Sequence, residues 1–151
     1  MIDLLRDKLI RSDDVHLRNR LNLVRYCAHS GRSMSPTLSH RDLLEIRPYS
    51  HKPVRSGDVV LFRSNEKLIV HRVVSIEYDG IRTQGDNNQQ EDDHLLKPQD
   101  IIGQVVAAQR GRRKRRIYSG RIGLVYSKGI RLEHAIACRT IMIFAPYYHF
   151  R

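Results

Sequence analysis

Three stretches of this chain carry side chains that can do chemistry together. They are a serine in G-R-S-M-S-P-T-L (residues 31–38), a histidine in I-V-H-R-V-V (residues 69–74), and carboxylates in T-Q-G-D-N-N-Q-Q-E-D-D (residues 83–93). A serine hydroxyl is a weak nucleophile until a neighbouring base takes its proton. His71 has the intrinsic basicity for that task near neutral pH. A carboxylate can hold the imidazole in one tautomer and stabilise the imidazolium as it forms. Taken singly, each feature also has a structural reading: a serine in a turn is a cap, a histidine on a half-apolar strand is a satisfied core residue, and G-D-N-N is a turn whose residues tolerate positive φ.

The elements that must position these residues are short. From residue 21 to 110 the chain alternates β-branched runs with turn residues, the pattern of an all-β domain. Candidate strands cover residues 23–29, 42–47, 58–63, 68–77, 81–83 and 101–108. Ser33 then follows a strand, and Pro36 keeps Ser35 out of the α region, so the serine is presented at a turn. Alternation puts Ile69, His71 and Val73 on one face of their strand and Val70, Arg72 and Val74 on the other. Asp79-Gly80 predicts a two-residue turn of positive φ joining residues 68–77 to 81–83 in a hairpin. Residues 1–20 read as a helical extension. Residues 111–151 read as a basic linker, continuing R-G-R-R-K-R-R (110–116), and an amphipathic helix with apolar positions Ile122, Val125, Tyr126 and Ile136, weakened by Gly123 and Gly129. That helix is expected to pack on its own domain.

Together, the three stretches resemble the type I signal peptidases and, more distantly, the related self-cleaving SOS-repressor peptidases. The resemblance covers residues 23–107. It implies a mainly β fold of the signal-peptidase type with a short N-terminal helix and a C-terminal basic amphipathic helix. It also implies serine endopeptidase activity on a leader or precursor peptide, with Ser33 as nucleophile. G-D-V-V-L-F (residues 57–62) leading into V-H-R-V-V is similar to the family's next strand pair, and the histidine marks the archaeal and endoplasmic-reticulum branch. The resemblance therefore makes His71 the base. The acidic residues of that branch align with Asp86 and Asp92, either of which would orient the imidazole, and Asp93 is a near-equivalent. Gly31, Met34 and Pro36 would support the substrate or the oxyanion hole. Gly31 stands where many members have a serine donor, which leaves backbone N–H groups to bind the oxyanion. The substrate implied is an extended peptide with small side chains beside the scissile bond.

Composition bounds the alternatives. The chain has 151 residues, 40% hydrophobic and 28% charged, with 27 Lys and Arg against 16 Asp and Glu and a formal net charge of +11. A domain of this size can bury a core without disulfide or metal staples. No run approaches the ~20 apolar residues of a membrane-spanning helix, and charges interrupt the first ten residues, so neither a membrane anchor nor a secretory leader is expected. The expected place is the cytoplasm, with peripheral contact at a membrane face. Cys27 and Cys138 show no metal-ligand spacing and are expected to be reduced. No cofactor and no metal are expected. The positive charge admits an anionic membrane surface, an acidic peptide or nucleic acid. Nucleic acid is disfavoured, because no helix-turn-helix and no stacking aromatics accompany the basic run. The competing functional class is an inactive or regulatory peptidase-fold protein that binds peptide or nucleic acid through its basic surface.

Overall fold

The computed structural model describes residues 25–49, 53–64 and 67–144, and side chains as far as 136. The expected helix over residues 1–20 lies outside the described residues. The β-branched runs form strands β1 (Arg25–Ala28), β2 (Leu43–Arg47), β3 (Val59–Ser64), β4 (Lys67–Ile76), β5 (Ile81–Gln84), β6 (Ile101–Arg110) and β7 (Arg113–Arg116), followed by helix α1 (Gly120–Phe144). All pairings are antiparallel, in the order β1-β2-β6-β3-β4-β5, with β7 joined to β6. The fold is mainly β, as the sequence pattern requires.

β3 shows how the sheet is buried. Val59 and Leu61 enter one apolar cluster with Met34, Leu44, Val70 and Val105, while Val60 and Phe62 enter a second with Val73, Ile81 and Leu96. Both faces of the strand are therefore covered, which is why it reads as an unbroken apolar run rather than an alternating one. Met34, within the turn that follows β1, is wholly buried in the first cluster, so the turn is tethered from beneath by its own side chain.

The structure corrects three expectations. β4 and β5 do form a hairpin, but four residues separate the strands, Glu77 N–H donates to Gly80 O (2.8 Å), and neither Asp79 nor Gly80 has positive φ. Gly80 is required for space instead, since a Cβ there would stand 2.9 Å from Leu95 Cβ. Next, the basic run is not a linker. Residues 110–116 turn through Gly111, at φ 58°, into β7, with Arg113 opposite Arg110.

The third correction concerns α1. Its regularly spaced apolar residues face outward, with Ile122 68%, Val125 73% and Leu132 63% exposed, whereas Gly123, Ser127 and Ile130 are buried. Small residues explain the reversal. A Cβ at Gly123 would lie 2.5 Å from Arg72 Nη1 and 2.6 Å from Gly57 O, so glycine lets the helix backbone approach closer than a larger side chain would allow. Gly57 is the reciprocal constraint, at φ 91° with an added Cβ only 1.9 Å from Gly120 O.

Gly57→Ala is accordingly expected to destabilise the fold by about 3 kcal/mol through left-handed strain and backbone overlap. Gly129→Ala, where an added Cβ meets nothing within 4 Å, should be neutral or stabilising. Urea denaturation of the two variants checks the contrast.

Candidate active site

The sequence places His71 in the middle of β4, where an imidazole among apolar neighbours needs a partner. That partner is Asp92. His71 Nδ1 lies 2.6 Å from Asp92 Oδ2, Thr83 Oγ1 donates to the same oxygen at 2.6 Å, and Asp92 N–H donates to Thr83 O at 2.8 Å. An ionised carboxylate accepts only, so Nδ1 carries the proton and Nε2 keeps its lone pair in the neutral ring. His71 Nε2 makes no hydrogen bond among the described residues. Phe62 stacks edge-on to the ring, with centroids 6.2 Å apart. His71 and Asp92 border an open cleft of about 630 Å³ whose floor is Phe62, Ile69 and Leu96 and whose rim is the loop from Asn87 to His94.

On the opposite face of β4 stands Arg72, with no exposed side-chain surface. Its guanidinium binds Asp86 through two bonds of 2.8 Å and donates at 2.7 Å each to Gly57 O and Tyr118 O. Thr37 Oγ1 donates to Asp86 Oδ2 at 2.5 Å. Asp86 therefore faces Arg72 and Thr37, and Asp92 faces His71. The two carboxylates that the sequence left as equals occupy different positions with different partners. Asp93 is exposed on the cleft rim with no hydrogen bond among the described residues.

The turn bearing Ser33 packs directly on G-D-N-N. Asn87 N–H donates to Ser33 O (2.8 Å), Asn87 Nδ2 to Arg32 O (3.1 Å) and Asp86 N–H to Met34 Sδ (3.4 Å). Gly85 permits this contact, because a Cβ there would sit 2.5 Å from Ser33 O. The turn closes through Ser35 N–H to Arg32 O and Leu38 N–H to Met34 O. Gly31 has φ 118°, which side chains rarely adopt, and Pro36 is exposed after a cis peptide bond. Ser33 is partly exposed, and its hydroxyl makes no hydrogen bond among the described residues. The structure thus brings the serine turn, the G-D-N-N loop and the histidine strand into one region, joined by backbone contacts and by Asp86.

Arg72, Thr37 and Thr83 were not singled out from sequence. Arg72 had a readable signal: an arginine sharing its strand face with Val70 and Val74 needs a buried anion. Thr37 and Thr83 had none. His29, also given no role, is buried with Nε2 unpartnered among the described residues, and burial lowers its pKa against the opposing pull of Asp42. Cys27 is a free thiol whose pKa burial pushes up to about 11. No group of three or more His, Cys, Asp or Glu among the described residues is placed to hold a metal ion.

The two aspartates should separate by stability. Asp86→Ala leaves a buried guanidinium unpaired and is expected to cost about 3–5 kcal/mol. Asp92→Ala, at a partly exposed carboxylate, should cost about 2 kcal/mol or less. Equal losses in thermal or urea unfolding would contradict this division.

Residues 10–106 match the sequence model of the Peptidase S24-like family. The signal peptidase complex catalytic subunits SEC11C of Homo sapiens, Mus musculus and Canis lupus familiaris are each 33% identical to this chain, over 48% of it and 45% of the relative. The chain thus spans about half the length of these curated relatives. With the family match running over more than half of its residues, on a mainly β fold that carries the matched motifs, the chain belongs to the Peptidase S24-like family.

Proposed function

We propose that this protein is a serine endopeptidase in which Ser33 is the nucleophile, His71 the general base and Asp92 the residue that orients it. The observation that carries this reading is the 2.6 Å contact between His71 Nδ1 and Asp92 Oδ2 beside an open cleft, with the Ser33 turn seated on the same loop. Ser33 Oγ attacks the peptide carbonyl as His71 Nε2 takes its proton. His71 then protonates the leaving amine, and an ester of Ser33 remains. Water attacks that ester, His71 accepting the water's proton and returning it to Ser33 Oγ as the acid leaves. Asp92 compensates the imidazolium in both steps. The hydrogen bond from serine to base is one that unliganded sites commonly hold open and tighten on substrate. Asp86 acts at one remove, through Thr37 and the turn.

The substrate class supported is an extended leader or precursor peptide with small side chains next to the scissile bond, as the family resemblance implies. No helix among the described residues is long and apolar enough to cross a membrane. The outward stripe Ile122, Val125 and Leu132, edged by Arg121 and Lys128, supports contact with an anionic membrane surface.

Cleavage of a co-expressed precursor, followed by mass spectrometry, tests the reading. Ser33→Ala should abolish it, and Asp92→Asn should slow it by roughly 10⁴-fold by freeing the wrong tautomer. Equal cleavage by Ser33→Ala and the parent chain would overturn the assignment. Sedimentation with phosphatidylglycerol vesicles should retain the chain, phosphatidylcholine vesicles should not, and Ile122→Asp should release it. Equal retention on both lipids would remove the preference for an anionic surface, and retention on neither would remove the membrane contact.

A further inference from the structure

The run 110–116 holds six Lys and Arg in seven residues, and the catalytic reading leaves it without a use. Its side chains are not all free in solvent. Lys114 meets Glu45 at 2.5 Å. Arg110 spans the Asp42 carboxylate at 2.8 and 3.0 Å and donates to Ser39 Oγ at 2.5 Å. Arg115 donates to the Thr37 carbonyl and, at 3.3 Å, to Asp42 Oδ2. Asp42 is fully buried and also accepts the Ser39 N–H at 2.9 Å. Residues 37–42 run directly on from the Ser33 turn, and within them Arg41 has φ 68°, a conformation that persists where its surroundings over-determine it.

We propose that the β6–β7 hairpin is a clamp on the nucleophile turn, in which Arg110 and Arg115, acting through Asp42 and the Thr37 carbonyl, set the position of Ser33. Thr37 is the point where two restraints meet. Its hydroxyl is bound to Asp86 and so to Arg72, and its carbonyl is bound to Arg115. The turn is held from the sheet interior on one side and from the hairpin on the other. Arg110 and Arg115 are positioning residues that act through the backbone, and the proposal rests on Ser33 being the nucleophile.

Two physical properties give the clamp a signature. Burial by itself would raise the Asp42 pKa, but hydrogen bonds from Arg110, the Ser39 N–H and Arg115 outweigh it and hold the group at about 2. The folded value lies below the ~3.9 of a free aspartate, so the clamp is complete above about pH 4 and is lost as pH falls toward 2. The Arg110 and Arg115 side chains are 57% and 43% exposed, so salt weakens their hold on the buried carboxylate.

The test uses the full chain with an uncharged precursor peptide and a serine-directed fluorophosphonate. The double variant Arg110→Gln/Arg115→Gln should stay folded while kcat and the Ser33 acylation rate fall roughly ten- to a hundredfold, the scale of a small misplacement of a reacting group. KM should change little. Wild-type kcat should fall as salt rises, and the double variant should not respond. Arg110→Lys should restore part of the loss. A folded double variant with wild-type kcat overturns the clamp while leaving the peptidase reading standing. If the double variant does not fold, the wild-type salt titration decides, and a kcat indifferent to salt overturns the clamp. A wild-type chain without Ser33-dependent turnover overturns the peptidase reading itself, and the clamp falls with it.

Discussion

A guanidinium with no exposed surface stays in a fold only if anions and carbonyls replace every water it gave up. Arg72 meets that condition with Asp86, Gly57 O and Tyr118 O, and each of these partners belongs to a different part of the chain. Asp86 brings the loop after β5, Gly57 brings the turn before β3, and Tyr118 brings the segment that enters α1. Thr37 adds the serine turn by donating to the same carboxylate. One buried cation on β4 therefore fixes the relative position of four segments, and the histidine next to it in sequence is aimed by consequence. Such a pair contributes little net stability compared with an apolar replacement. Its value here is geometric.

The pleat of β4 turns that geometry into two separate sites. Successive side chains leave a strand on opposite faces, so Arg72 and His71, though adjacent, cannot share one carboxylate. The loop after β5 answers with Asp86 for one face and Asp92, six residues later, for the other. Thr83 then completes the second site by donating to Asp92 from the end of β5, while Asp92 returns its N–H to the Thr83 carbonyl. The imidazole is held on one nitrogen and left open on the other, which is the arrangement a base needs.

Much of this was legible in the order of residues. The alternation of β-branched runs and turns marked β1 to β6, the face assignment of β4 was correct, and the three motifs lay where the structure brings them together. What failed has physical causes. β7 was read as a linker because four consecutive basic residues carry no apolar alternation; they pair as a strand because Arg110, Lys114 and Arg115 find Asp42 and Glu45 across the fold. The outward face of α1 was taken for its packing face because apolar spacing is the usual guide to burial, yet close approach over Arg72 favours Gly123 and Ser127 there.

By itself, the sequence determined the mainly β class, the three chemical segments and the need of His71 for a partner, because these follow from side-chain periodicity and from the cost of burying polar groups. It could not assign Asp86 and Asp92 to their partners. Spacing along a loop says nothing about which face of a strand that loop wraps around, and only the folded chain closes the distances that decide which carboxylate meets His71 and which meets Arg72.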